Sequence, residues 1–101
     1  MNREKLSGVY IITNTANGNR YIGSSVDIYR RWATHLRELR KGVHGNQILQ
    51  RAWDKHGESN FEFSILLLCS ESDTLLNEQQ FLDNVKLLGY VLIIAEKKMT
   101  F

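Results

Sequence analysis

The stretch from Gly8 to Gly23 narrows most what this chain can fold into. Gly8 to Asn14 (GVYIITN) is dense in β-branched residues and tyrosine, which suit a pleated strand and not a helix. Asn17-Gly18 follows, a pair that tolerates positive φ and marks a tight turn. Arg20 to Gly23 then returns as the partner strand. A β-hairpin here commits the chain to a sheet whose apolar faces need cover. It also sets Tyr10 and Tyr21 on paired strands, where two phenols can share a face and lie close together.

The cover comes from the segments that follow. Ser25 reads as the N-cap of a helix whose first turn carries Asp27, a favourable charge at that end. Ile28, Trp32, Leu36 and Leu39 recur at helical spacing and are expected to face the core. Gly42 should end the helix, with Arg40 and Lys41 in its last turn. A second helix is expected from about Asn46 to His56, with Ile48, Leu49, Ala52 and Trp53 as its apolar face and Gly57 as its stop. Asn60 to Cys69 opens with alternation (Phe61, Phe63 and Ile65 against Glu62 and Ser64) and becomes wholly apolar, the pattern of a strand entering a buried sheet position. Ser72 or Asp73 can cap a third helix reaching about Leu88, with Leu75, Leu82 and Val85 turned to the core. Tyr90 to Ala95 reads as a last strand, and 96–101 as a frayed tail. The order β-β-α-α-β-α-β describes one α+β domain over residues 1–101, its core at about 7–95: a small, mainly antiparallel central sheet flanked by helices.

Composition excludes several classes. No apolar run approaches membrane-spanning length; the longest candidate is Ile65 to Cys69. The opening residues Met1 to Lys5 lack the apolar stretch of a secretory signal. One cysteine, Cys69, excludes an internal disulfide and a cysteine-based zinc site, so a reducing cytoplasm is the expected compartment. Net charge is only +2, but it is unevenly spread. Between Arg20 and Lys55, eight Lys and Arg face three acids; from Gly57 onward, three lysines face seven. The basic half suits a polyanion such as nucleic acid. Two solvated basic helices would give the same imbalance.

Read singly, the residues that carry chemistry are weak signals. A phenol with a pKa near 10 is a poor base unless its surroundings depress that value. A tyrosine pair on a hairpin is usually packing. Arg31 and His35 lie four apart on one helix face, which by itself describes a solvated face. His44 sits just past that helix, in Gly42-Val43-His44-Gly45, and His56 closes the second helix. The three histidines lack zinc-type spacing. Glu78, in the third helix, is a lone glutamate of the kind normally found at the surface. It gains meaning only as the single carboxylate of a Mg²⁺ site, because Mg²⁺ is often held by one or two carboxylates plus water and phosphate oxygens.

Taken in order, these segments resemble a known family. Gly8-Val9-Tyr10, ten intervening residues and Tyr21-Ile22-Gly23 are similar to the paired motif that names the GIY-YIG nucleases. Ser24-Ser25, Arg31-Trp32 with His35, Lys41-Gly42-Val43-His44, Lys55-His56-Gly57 with Phe61 and Phe63, and Glu78-Gln79 continue the likeness from about Ser7 to Asp83. The resemblance, closest to the catalytic domains of phage and mobile-intron homing endonucleases, implies a metal-dependent DNA endonuclease. It implies that Tyr10 is the general base or orients the attacking water, supported by Tyr21. Arg31 would neutralise the scissile phosphate, His35 would hydrogen-bond it or relay a proton, and Glu78 would bind one Mg²⁺ or Mn²⁺. Gly23, Ser24, Arg30, Lys41 and His44 would face the substrate. One departure stands out: where many relatives carry an asparagine after the third helix, this chain has Val91, and Asn84 is not at the matching place.

Three functions compete. A homing-type or free-standing endonuclease leads, with weak sequence preference of its own and a separate targeting domain or partner for its specificity. It is expected to act as a monomer or a DNA-induced dimer. A repair or branched-DNA nuclease uses the same fold. A non-catalytic DNA-binding module would fit the loss at Val91, but pure binding has no use for a metal-binding glutamate.

Overall fold

A computed structural model describes residues 5–83 with their side chains and the backbone of 91–95. The elements run β1 (Gly8–Asn14), β2 (Asn19–Ser25), α1 (Ile28–Lys41), α2 (Gln47–His56), β3 (Phe61–Leu68), α3 (Thr74–Asp83) and β4 (Val91–Ala95). Single 3-10 turns, Glu58–Asn60 and Glu71–Asp73, lead into β3 and α3. This is the α+β order read from the sequence. The sheet order is β3-β1-β2-β4: three antiparallel strands, with β4 added parallel to β2. No helix among the described residues is long and apolar enough to cross a membrane.

The hairpin is longer than expected, because β2 extends to Ser25 and pairs back to Gly8. Its turn is closed by the Gly18 amide, which donates to the Asn14 carbonyl at 2.8 Å. β1 is the central strand, and Val9, Tyr10, Ile11 and Ile12 are all buried. Strand alternation sends them to two different cores. Tyr10, Ile12 and Tyr21 pack with Ile28 and Leu39 of α1 and Leu49 and Trp53 of α2. Val9, Ile11 and Ile22 pack on the other face, against Leu66 of β3 and Phe81 and Leu82 of α3.

Several sequence expectations are corrected here. Asp27, not Ser25, caps α1: its carboxylate accepts from the Arg30 amide, while the Ser25 hydroxyl accepts from the Asp27 amide. The apolar end of β3 is not at a buried sheet position. β3 lies at the edge, pairing only with β1 among the described residues, and Leu67 and Leu68 are exposed. Ile48 points outward as well. The inner stripe of α2 is Leu49, Gln50 and Trp53, in step with its cap Asn46. Leu75 is exposed, and α3 instead turns Thr74 and Glu78 inward. The expected continuation of this helix to Leu88, with Asn84 and Val85, and the expected tail 96–101 lie outside the described residues.

Gly8 has a steric reason to be glycine. A Cβ there would lie 2.0 Å from the Leu67 carbonyl oxygen and 2.9 Å from the Leu68 Cα. Both are backbone atoms and cannot rotate away. Gly8→Ala is therefore expected to cost about 3 kcal/mol, at the upper end of overpacking, by prising β1 from β3. The midpoint of urea unfolding measures it; an unchanged midpoint contradicts this reading of the β1–β3 contact.

Candidate active site

The site begins with the register of the hairpin. Tyr10 faces Gly23 across the strands and Ile12 faces Tyr21, so both tyrosines project to the α1 side as diagonal neighbours. Gly23 puts no side chain opposite Tyr10. His35 is on the inner face of α1 and has no solvent exposure, which overturns the solvated-face reading of the Arg31–His35 pair. Its ring meets both tyrosines edge-on, with centroids 5.9 Å from Tyr10 and 5.7 Å from Tyr21. Trp32 closes on Tyr10 from the same helix at 6.0 Å.

Three side chains form a connected line. The Tyr10 hydroxyl lies 2.7 Å from His35 Nε2, and His35 Nδ1 lies 2.8 Å from His44 Nε2. The two imidazoles are nearly parallel, at 21°, with centroids 5.0 Å apart, the geometry of rings joined edge to edge through an in-plane N–H···N bond. His44 Nδ1 then accepts from the Asn46 backbone N–H at 3.0 Å. A backbone amide can only donate, so Nδ1 of a neutral His44 carries no proton. The proton of His44 sits on Nε2 and is donated to His35 Nδ1. His35 in turn carries its proton on Nε2 and donates it to the Tyr10 oxygen. One amide thus sets the direction of the whole line.

Burial, aided by the neighbouring His35 and more weakly by the Arg31 charge, pushes the His44 imidazole below the ordinary histidine value, against the pull of Glu38. Unfolding restores the ordinary value, near 6.5. Below that pH the unfolded chain takes up a proton that folded His44 resists. Stability from this group is therefore full above pH 6.5 and declines as pH falls through the lower folded value. Urea midpoints at pH 8 and pH 5.5 should show the fall, and His44→Gln should shrink it. An equal fall in both chains contradicts the assignment to His44.

Glu78 and Ser24 make a second cluster. Ser24 alternates with Tyr21 and Gly23, so it projects to the α3 face of β2. There its hydroxyl donates to Glu78 Oε1 at 2.5 Å. Both are 2% exposed, so the lone glutamate is buried, contrary to the usual rule for helix surfaces. Arg31 is half-buried, and its charge is felt at His44. Arg30 and Lys41 are exposed on α1, Lys41 in its last turn.

The donor chemistry bears on a metal. Both nitrogens of His35 and of His44 are engaged in the line described above. Among the described residues, no group of three or more His, Cys, Asp or Glu side chains can hold an ion. What remains is hard oxygen, from Glu78 with Ser24 beside it. This fits a cation that keeps most of its water and takes one carboxylate, and it does not fit a caged zinc.

Sequence reasoning missed Gln50. It is 8% exposed; its Oε1 accepts from the His44 amide at 3.0 Å, and its Nε2 donates to the Leu39 carbonyl at 3.1 Å and to Asp54 at 2.9 Å. A signal was present: Asn46, Leu49, Gln50 and Trp53 fall on one helical stripe.

A tyrosine pair under a helix-borne histidine, with a buried helix glutamate across the sheet, defines a nuclease catalytic domain once the relatives are set beside it. Residues 6–90 match the model of the GIY-YIG catalytic domain, and the chain belongs to this family as an endonuclease domain. It is 42% identical over 76 residues to the intron-associated endonuclease 1 of Enterobacteria phage T4, covering 74% of this chain and 31% of that protein. It is 40% identical over 58 residues to a probable intron-encoded endonuclease 1 of Neurospora crassa, covering 57% of this chain and 18% of that protein. The chain thus spans under a third of the length of these relatives. Two solved structures of the I-TevI catalytic domain, one from a point mutant, superpose with TM-scores of 0.71. They are 37% and 33% identical, cover 84% and 86% of this chain, and are themselves covered over 91% and 97%.

Proposed function

We propose that this chain hydrolyses DNA phosphodiester bonds with Tyr10 as the base and one divalent ion at Glu78, as the catalytic part of a homing-type or free-standing endonuclease. The observation that carries the reading is the His35 Nε2–Tyr10 Oη contact of 2.7 Å at the end of a line whose donor direction is set by a backbone amide. A hydrogen bond donated to the phenol oxygen stabilises its anion and weakens its hold on its own proton. Once the phenol proton has passed to solvent, the Tyr10 phenolate takes one proton from the attacking water as its oxygen bonds to phosphorus, the P–O bond to the leaving oxygen breaks, and that oxygen is protonated from solvent. Tyr10 has no solvent exposure, so DNA binding has to move adjoining side chains, Trp32 among them, before water reaches it. Tyr21 packs against His35 and keeps the ring in place. Arg31 offsets charge on the non-bridging oxygens.

Glu78, oriented by Ser24, would hold Mg²⁺ or Mn²⁺, which stabilises charge on the leaving oxygen when bound. Gly23, with no side chain opposite Tyr10, would lie against the substrate, and His44 acts through His35. Arg30 and Lys41, exposed on α1, would meet phosphates flanking the cut. Because the phage and fungal relatives are about two to three times as long, a separate targeting segment would supply sequence specificity. A single site cuts one strand at a time, so a double-strand break would take a DNA-induced dimer or two visits. The test offers linear, nicked and branched duplexes to the purified chain with Mg²⁺ or Mn²⁺. Cutting of linear duplex with little sequence preference is expected. Cutting confined to branched DNA would transfer the chain to the repair and junction nucleases, and binding without cutting would make it a recognition module.

A further inference from the structure

We propose that Gln50 is a positioning residue for hydrolysis: its carboxamide pins the His44 loop so that the Asn46 amide faces His44 Nδ1 and the line delivers an N–H to Tyr10. This rests on the reading of Tyr10 as the base. The loop 42–46 that carries His44 joins two helices. Both ends of the loop are held: the Gly42 and Val43 amides donate back to the Leu39 and Glu38 carbonyls of α1, and Asn46 caps α2. Between those ends Gly45 is exposed, and the His44 amide, buried in mid-loop, takes its partner from Gln50. The Gln50 Oε1 takes the His44 N–H at 3.0 Å, and Nε2 reaches back to the Leu39 carbonyl at 3.1 Å in the last turn of α1. One side chain on α2 therefore ties the end of α1 to the loop between them. Asp54, one turn further along α2, accepts from the same Nε2 at 2.9 Å and fixes which end of the carboxamide faces which partner.

The consequence lies in the direction of the proton line. If the His44 backbone swings, Asn46 N–H no longer meets Nδ1, and the His44 ring is free to carry its proton on either nitrogen. A proton on Nδ1 reverses the line: His35 then donates through Nδ1 and offers Tyr10 a lone pair in place of an N–H. The phenol would then donate to His35, and its anion would lose the donor that stabilises it. A cavity of about 400 Å³, lined by Gly42, Val43, His44, Gln47, Gln50 and Arg51, opens on this contact. It leaves room to change the Gln50 side chain without overpacking the core.

The experiment reads protonation and turnover separately. Long-range proton–nitrogen correlation spectra of histidine-labelled chain report which ring nitrogen of His35 and His44 carries the proton. Both are expected on Nε2 in the unaltered protein. Gln50→Met keeps the shape and removes both polar partners. It should leave the circular dichroism spectrum unchanged, let His44 exchange between its two tautomers, and lower kcat about tenfold to a hundredfold with KM little changed. Gln50→Glu should restore tautomer and rate, because a carboxyl buried there is driven to its neutral form and presents the same acceptor and donor. A proton on Nδ1 of either histidine in the unaltered protein overturns the proposal, whether or not Gln50→Met folds. So does a slow Gln50→Met chain with both tautomers intact, which is a structural loss only, or altered tautomers with the original rate. An active Tyr10→Phe chain would instead remove the reading of Tyr10 on which the proposal stands, with the tautomers unaffected.

Discussion

Glu78→Gln is expected to slow metal-supported DNA cleavage by about two to three orders of magnitude, the usual cost of removing a charge-stabilising group from a hydrolytic site. The fold should not suffer. Glutamine offers Ser24 the same acceptor oxygen that Glu78 uses at 2.5 Å. It also removes a carboxylate charge from a position 2% exposed, where a charge costs free energy unless it is compensated. The expected signature is therefore a chain that still folds cooperatively and has a collapsed rate. Parallel assays in Mg²⁺ and Mn²⁺, followed by urea unfolding, separate the two effects. A Glu78→Gln chain that cuts at the original rate removes Glu78 from the reaction and leaves it as a partner of Ser24.

Tyr10→Phe carries the second large effect. Loss of a general base typically costs about a hundredfold to ten-thousandfold in rate. Here the same change also leaves His35 Nε2–H facing a ring edge in a buried place, at a cost of about 1–3 kcal/mol. For a domain of this size, each kcal/mol lowers the melting temperature by about 4–8 °C. The chain should therefore melt several degrees lower and still fold, with activity far below what the stability loss explains. Single-turnover cleavage at a temperature well below the melting point, with the chain in excess over DNA, checks this. Retention of more than a tenth of the original rate would assign Tyr10 a packing role and move the base elsewhere.

Much of this architecture is legible in the sequence. The hairpin followed from β-branched density on either side of Asn17-Gly18, and α1 from its apolar spacing and from Gly42, which adopts the left-handed cap expected of it. The reading failed where burial depends on partners distant in the chain. Leu67 and Leu68 look like core residues to any local rule, yet β3 is an edge strand and they are exposed. Leu75 has the spacing of an inward residue of α3, whereas the inner stripe runs Thr74, Glu78, Phe81 and Leu82. That stripe has regular helical spacing; a glutamate at its centre hid it, because acids are expected outside. The same bias hid Gln50. In both cases a buried polar residue stands on an otherwise apolar stripe.

The residues of the site were nameable in order, but their arrangement was not. No spacing rule shows that His35 and His44, nine apart and on different elements, touch ring to ring, nor that an Asn46 amide decides which nitrogen holds the proton. The likeness to a family supplied Tyr10, Tyr21, Arg31 and Glu78 as a set. It could not supply the division of that set between two faces of one sheet, with the tyrosines under α1 and the Ser24–Glu78 pair under α3.

The most direct test of the whole account is incubation of the purified chain with supercoiled plasmid in Mg²⁺, in Mn²⁺ and in EDTA. Conversion of supercoiled to open-circular DNA in either metal, abolished by EDTA, is the expected result. Undiminished nicking in EDTA, or intact plasmid under conditions where the chain demonstrably binds it, would contradict a metal-supported hydrolytic site in this domain.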